Sequence, residues 1–277
     1  MCICIVAYLL SALPLRLLYL ISDLLFIVIY YLVGYRKKIV AQNLQNAFAT
    51  KTAQEHKQIA KAFYQYLCDL FVEHIKALTI TPQELLQHVT VSNREILENK
   101  QGKSILLVSG HFGNWEWIAH ALALQTFYTI CAGYQPLHHK GIDQLVMRLR
   151  TRFQRKAIQN IALLKYMLTY QGPPQAIAWL IDQAPLRKEH GYWTTFLAQP
   201  TAVSLTIARL AQKCNLPIFY VQIHQMQRGQ YQAKLILLTK DPASLSVEEI
   251  AELYTRRLEK DILENPALWL WSHRRWK

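Results

Sequence analysis

The chain has 277 residues, enough for one α/β domain with a full core and little besides once an apolar N-terminal arm is subtracted. It is 52% hydrophobic with seven Trp, yet carries 31 Lys and Arg against 18 Asp and Glu, and that combination suits an anionic membrane surface. A nucleic-acid partner has only the +13 charge behind it, because no zinc-finger spacing, RRM-type aromatic motif or long basic tract is present. Five scattered cysteines (Cys2, Cys4, Cys68, Cys131 and Cys214) with no C-x-x-C pair argue against a disulfide framework and a structural metal. GxxxxGK, GxGxxG and GxSxG are absent, which disfavours ATP hydrolysis, dehydrogenase and serine-esterase chemistry.

From Leu17 to Val33 the run LLYLISDLLFIVIYYLV is apolar except for Ser22 and Asp23, and Tyr35-Arg36-Lys37-Lys38 follows at once. Residues 1–35 read as a hydrophobic anchor and 36–277 as a single catalytic domain. The run is at the lower limit for crossing ~30 Å of hydrocarbon, and an aspartate at mid-depth costs on the order of 3 kcal/mol. A helix lying in the interface therefore competes with a spanning one. If the segment spans, the basic cluster keeps the domain cytoplasmic.

Thr52-Ala53-Gln54-Glu55 is a capping box opening a helix to about Leu78, and Pro82 with Glu84 begins a short one. Strand-like runs cover 104–109, 127–132, 176–181, 216–223 and 231–238, and helical patterns cover 142–156, 203–214 and 247–263. This alternation predicts an α/β fold with a largely parallel central sheet covered by helices, with a hairpin as the alternative for the last two strands.

The strand Ser104–Ser109 ends in Gly110, so His111 falls in a turn, and Asn114 is a good N-cap for a helix whose first turn holds Glu116. On one continuous helix a spacing of five sets two side chains ~140° apart, so His111 and Glu116 meet only if strand, turn and helix intervene. An imidazole held by a carboxylate can take a proton from a hydroxyl attacking an acyl carbonyl. The oxyanion needs donors, which backbone N–H groups around Gly113 or an arginine would supply. On the predicted helix 142–156, Arg150 lies about 80° to one side of the apolar face and Arg148, Arg152 and Arg155 group on the other. Asp182 ends an apolar run, a position where α/β proteins often place functional side chains. The tail Trp269, Trp271, His273, Arg274, Arg275, Trp276 mixes aromatics and cations, suiting either a membrane interface or packing against the domain.

The string HFGNWE resembles the H-x4-D/E motif of the lysophospholipid and glycerolipid acyltransferase superfamily, in the form of lipid A biosynthesis acyltransferases. GYRKKIVAQNLQNAF upstream, and WLIDQAP and ENPALWLWSHRRWK downstream, resemble further segments of that family, so the similarity runs from about Leu13 onward. The resemblance implies that His111 is the general base and Glu116 orients it. It also implies acyl transfer from an acyl carrier protein thioester to a hydroxyl of a lipid A precursor, on the cytoplasmic face of the inner membrane. No metal or cofactor is implied. Arg150 is expected to hold a phosphate or the substrate carbonyl, and Gly113, Asn114 and Asp182 to position substrate. Arg148 and Arg152 are expected to face lipid phosphates or the carrier protein. The family's Phe-Phe-Gly element stands here as Phe196-Leu197-Ala198, losing a glycine at Ala198. A relative acting on another lysolipid or glycolipid, or a non-enzymatic basic membrane-binding protein, are the competing readings.

Overall fold

The structure, a computed structural model, describes residues 2–97, 102–185 and 191–276. Helices α1 (Cys2–Ser11) and α2 (Leu15–Phe26) lead the chain, and α2 continues as a π-helical stretch, Ile27–Val33, that Gly34 ends. Helix α3 (Lys37–Ala47) precedes the long α4 (Ala53–Lys76), which opens on the expected capping box, Thr52 accepting from the Glu55 N–H. Then come α5 (Pro82–His88), β1 (Val89–Val91), β2 (Ile105–Ser109), α6 (Trp115–Gln125), β3 (Thr129–Tyr134), α7 (Lys140–Arg150), β4 (Lys156–Gln159), α8 (Asn160–Thr169) and β5 (Gln175–Leu180). The remainder is β6 (Gly191–Phe196), β7 (Gln199–Ser204), α9 (Thr206–Cys214), β8 (Ile218–Gln227), β9 (Gln230–Thr239) and α10 (Val247–Glu264).

Seven strands form one sheet in the order β1-β9-β8-β2-β5-β3-β4, parallel throughout except for the β8/β9 hairpin. The expected α/β fold is the one observed. Strand β2 runs between β5 and β8 and is buried along its whole length, which explains its unbroken apolar run. Because β2, β3 and β5 run parallel, their carboxyl ends open on one edge, where ligand sites of such sheets form.

Two expectations about elements fail. The helix predicted over 142–156 ends at Arg150, because Phe153 and Gln154 take left-handed backbone angles and residues 156–159 pair with β3 instead. Residues 203–204 belong to β7, the second strand of a separate two-stranded hairpin, so the following helix begins at Thr206.

Helix α2 is not a free rod. Its Leu18, Ser22 and Phe26 are buried, with α4 its main helical neighbour. The Tyr19 hydroxyl donates to Glu73 at 2.8 Å, and Ser22 donates to Asp69 at 2.6 Å. Arg228, at the β8/β9 turn, reaches Asp23 at 2.7 Å and Asp69 at 2.6 Å. The neighbouring Gly229, at φ +71°, comes so close to α2 that a β-carbon there would lie 2.1 Å from the Tyr19 hydroxyl. Asp23 therefore faces a cation of the domain rather than standing unpaired. The other side of α2 is apolar and exposed, with Leu17, Leu20, Leu24, Ile27 and Leu32 uncovered. The helical stretch Leu15–Val33 is long and apolar enough to cross a membrane, judged by length and composition.

Candidate active site

The turn after β2 is built by its neighbours as much as by its own sequence. Gly113 adopts φ +56°, and a β-carbon there would lie 2.6 Å from Cγ2 of Ile223, so only glycine fits. Its N–H donates to the Leu268 carbonyl at 3.0 Å, and its carbonyl accepts from the Tyr66 hydroxyl at 2.8 Å. Asn114 caps α6 as expected, accepting from the Trp117 N–H at 2.9 Å, while its amide donates to Glu73 at 2.7 Å. Both residues are fully engaged behind the turn. The Gly113 N–H is thus spent on Leu268 and is not a donor for an oxyanion, and Asn114 is a cap rather than a substrate contact.

His111 meets Asp182, not Glu116. Nδ1 of the ring lies 2.8 Å from Oδ1 of Asp182, and the His111 backbone N–H donates to Oδ2 at 3.0 Å. Because a carboxylate only accepts, Nδ1 carries the proton and the basic lone pair resides on Nε2. Burial alone would raise the Asp182 carboxyl, but the charge and hydrogen bonds of His111 and the Trp269 indole bring it down to about 2. Asp182, two residues past the end of β5, thus holds the position beside the imidazole that the sequence suggested for Glu116.

Glu116 instead joins two arginines. Its Oε1 accepts from Nε of Arg150 at 2.8 Å and its Oε2 lies 3.2 Å from Nη1 of Arg155. Burial would raise this carboxyl, yet Arg155 and Arg150 hold it well below the usual carboxylate range. Arg155 also contacts Nδ1 of His120 at 3.0 Å, and burial together with that guanidinium keeps His120 neutral. The sequence grouped Arg155 with Arg148 and Arg152, on the side of a helix away from Arg150, whereas the structure brings Arg155 and Arg150 to one carboxylate. The left-handed pair Phe153-Gln154 reverses the chain and turns it inward, and no helical periodicity reveals such a break.

His111, Glu116, Arg150 and Arg155 line a cavity of about 840 Å³ whose wall includes Leu107, Ile118, Leu122, Ile130 and Ala178. Leu107 lies along β2 and Leu122 in the last turn of α6, so the apolar part runs back from the turn carrying His111 between helix and sheet. Of the other arginines, Arg148 is exposed, and Arg152 donates to the carbonyls of Ala77 and Ile80 after α4, a fold contact rather than a lipid one.

A family model for bacterial lipid A biosynthesis acyltransferases matches residues 2–277. The chain belongs to that family. No curated protein matches the sequence significantly. In this lipid A acyltransferase family member, the tail Trp269 and Trp271 is buried inside the domain, so the packing alternative holds for both. Sequence reasoning missed Arg155 and the Trp269 contact to Asp182, which join residues far apart in the chain.

Proposed function

We propose that the protein transfers a fatty acyl chain from an acyl carrier protein thioester to a hydroxyl of a lipid A precursor in lipopolysaccharide biosynthesis, with His111 as the general base. The observation that carries this reading is the His111–Asp182 pair opening onto a large, partly apolar cavity. Nε2 takes the hydroxyl proton as the oxygen attacks the thioester carbonyl. The oxyanion collapses, the carbon–sulfur bond breaks, and the thiolate recovers the proton from the imidazolium. The product is an oxygen ester and a free thiol, with no covalent enzyme intermediate.

Arg150 is the candidate donor for the oxyanion or for a substrate phosphate. Its Nε is held by Glu116, which leaves the two terminal nitrogens of a fixed guanidinium at the cavity wall. Glu116 serves by aiming Arg150 and Arg155, and Asp182 serves by aiming His111. The acyl chain occupies the apolar space beside Leu107, Ile118 and Leu122. Exposed Arg148 belongs to the surface offered to the acidic carrier protein.

The membrane reading follows from α2. One face is tied to the domain through Glu73, Asp69 and Arg228, while α2 and the π-helical stretch after it expose Leu17, Leu20, Leu24, Ile27 and Leu32, with Arg16 exposed near the start and Arg36, Lys37 and Lys38 following. This favours a helix seated in the cytoplasmic leaflet of the inner membrane, with the basic cluster on lipid phosphates, over one that leaves the domain to span.

The test is acyl transfer by detergent-solubilised protein from carrier-protein thioesters of several chain lengths to an under-acylated lipid A precursor, beside His111→Ala. Transfer by wild type and its loss in the variant are expected. Transfer dependent on His111 to a different lipid alone would reassign the acceptor, and the absence of any His111-dependent transfer would overturn the reading.

A further inference from the structure

The segment from Leu268 to Trp276 passes directly behind the catalytic turn. Leu268 accepts from the Gly113 N–H, and Trp269 forms an isolated antiparallel bridge with Phe112. The Trp269 indole N–H donates to Oδ2 of Asp182 at 2.8 Å, the same oxygen that accepts from the His111 backbone. Two donors on Oδ2 lock the carboxylate plane and leave Oδ1 for the His111 ring.

The strap is anchored along its length. Asn43 of α3 donates to the carbonyls of Trp271 and His273, both at 2.8 Å, and Arg36 donates to Ser272 at 2.9 Å. Arg275 donates to Ala202 of β7 at 2.9 Å, and Trp276 donates to the Thr201 hydroxyl at 2.8 Å. Arg275 is 5% exposed and lines, with Asp182, Thr255 and Leu258, a void of about 10 Å³. A buried cation thus stands close enough to Asp182 for the two charges to interact. Trp269, Trp271 and Arg275 are too deeply buried for a lipid head group to reach.

We propose that Trp269 and Arg275 are positioning residues for acyl transfer, fixing the orientation and charge of Asp182 and through it the imidazole of His111. This inference rests on the general-base reading of His111. Removing an N–H from the carboxylate, or the cation near it, changes the orientation of Asp182 and the charge that it presents to the imidazole, a change that a pH–rate profile reads. Among the described residues, the other groups facing this pair include Glu116 with Arg150 and Arg155 from α6 to β4, His74 and Tyr66 of α4, Tyr220 of β8, and the Trp115 ring. The substitutions below leave all of these in place.

The experiment is a pH–rate profile of the full chain in detergent with one carrier-protein thioester and a lipid A precursor. It compares Trp269→Phe, Arg275→Met, Arg275→Lys and His111→Ala, with folding checked by thermal unfolding. Trp269→Phe is expected to lower kcat about tenfold with KM within about twofold, and to move the acid limb upward by a few tenths of a pH unit. Arg275→Met moves the limb the same way, and Arg275→Lys keeps the wild-type profile. Folded Trp269→Phe and Arg275→Met with unshifted limbs would overturn the proposal, as would equal losses in the Lys and Met variants. Should Trp269→Phe not fold, the Lys and Met pair decides alone. An active His111→Ala would instead remove the general-base reading, whereas an inactive one with unshifted strap variants would remove only this inference.

Discussion

Asp182 grips His111 twice, through the ring Nδ1 at 2.8 Å and through the backbone N–H at 3.0 Å, so one carboxylate sets both the place and the tautomer of the imidazole. Asparagine puts an NH2 where one of these two oxygens stands, so one of the two His111 donors would face another donor. Asp182→Asn is therefore expected to cut kcat by about 10²-fold or more with a small change in KM, read from initial rates at saturating acceptor. A wild-type rate in the folded variant would sink this role.

Glu116 neutralises two guanidiniums, one of them buried. Removing one partner of a buried ion pair leaves an uncompensated charge, at a cost of roughly 3–5 kcal/mol. Glu116→Ala is expected to lose that stability in denaturant unfolding, together with activity. A variant as stable as wild type would show that the two arginines do not depend on this carboxylate.

Glu73 is buried in α4 and accepts from Tyr19, Tyr231 and Asn114, yet burial outweighs those bonds and raises its carboxyl from 4.5 to about 7. A raised folded value means that the folded state holds its proton more tightly. The stabilisation is complete below about pH 4.5 and is lost as pH rises through about 7. Glu73→Gln, which cannot ionise, should lack this slope, a difference on the order of 3 kcal/mol across that window. Parallel stability-against-pH curves for the two proteins would refute it.

Leu197 and Ala198 close the β6/β7 hairpin, and both have left-handed backbone angles, φ +50° and +59°. Such angles strain any residue with a β-carbon, and the cost at Ala198 is about 1 kcal/mol. Ala198→Gly is expected to raise the unfolding free energy by roughly 0.5–1 kcal/mol, partly offset by the freedom glycine adds to the unfolded chain. A lower melting temperature would contradict this assignment of strain.

Leu20 and Leu24 stand on the bare face of α2, 65% and 63% exposed. The double change Leu20→Asp, Leu24→Asp should abolish co-sedimentation with anionic vesicles while leaving thermal stability within about 0.5 kcal/mol of wild type. Undiminished vesicle binding would exclude this face as the lipid contact.

The parallel sheet, the long capped helix and the turn carrying His111 were legible because each rests on local signals: an apolar run ended by glycine, a capping box, an N-cap asparagine. The partners inside the site were not. His111 and Glu116 share one motif, but the carboxylate that meets the imidazole arrives from residue 182 and the second cation on Glu116 from residue 155. The Arg155 placement turned on Phe153 and Gln154 adopting angles that their side chains disfavour, which tertiary contacts impose and composition does not announce. The sequence allowed the tail two environments, and only the packing of Trp269 against Asp182 distinguishes them.

The strap beneath the catalytic turn also orders events in time. A growing chain makes His111 and Asp182 well before Leu268 and Trp269, and β1 waits for β9, about 140 residues later, to gain its sheet neighbour among the described residues. Contacts of such long separation form late and slowly. On the proposed mechanism, the support that the strap gives Asp182 is therefore among the last parts of the site to assemble.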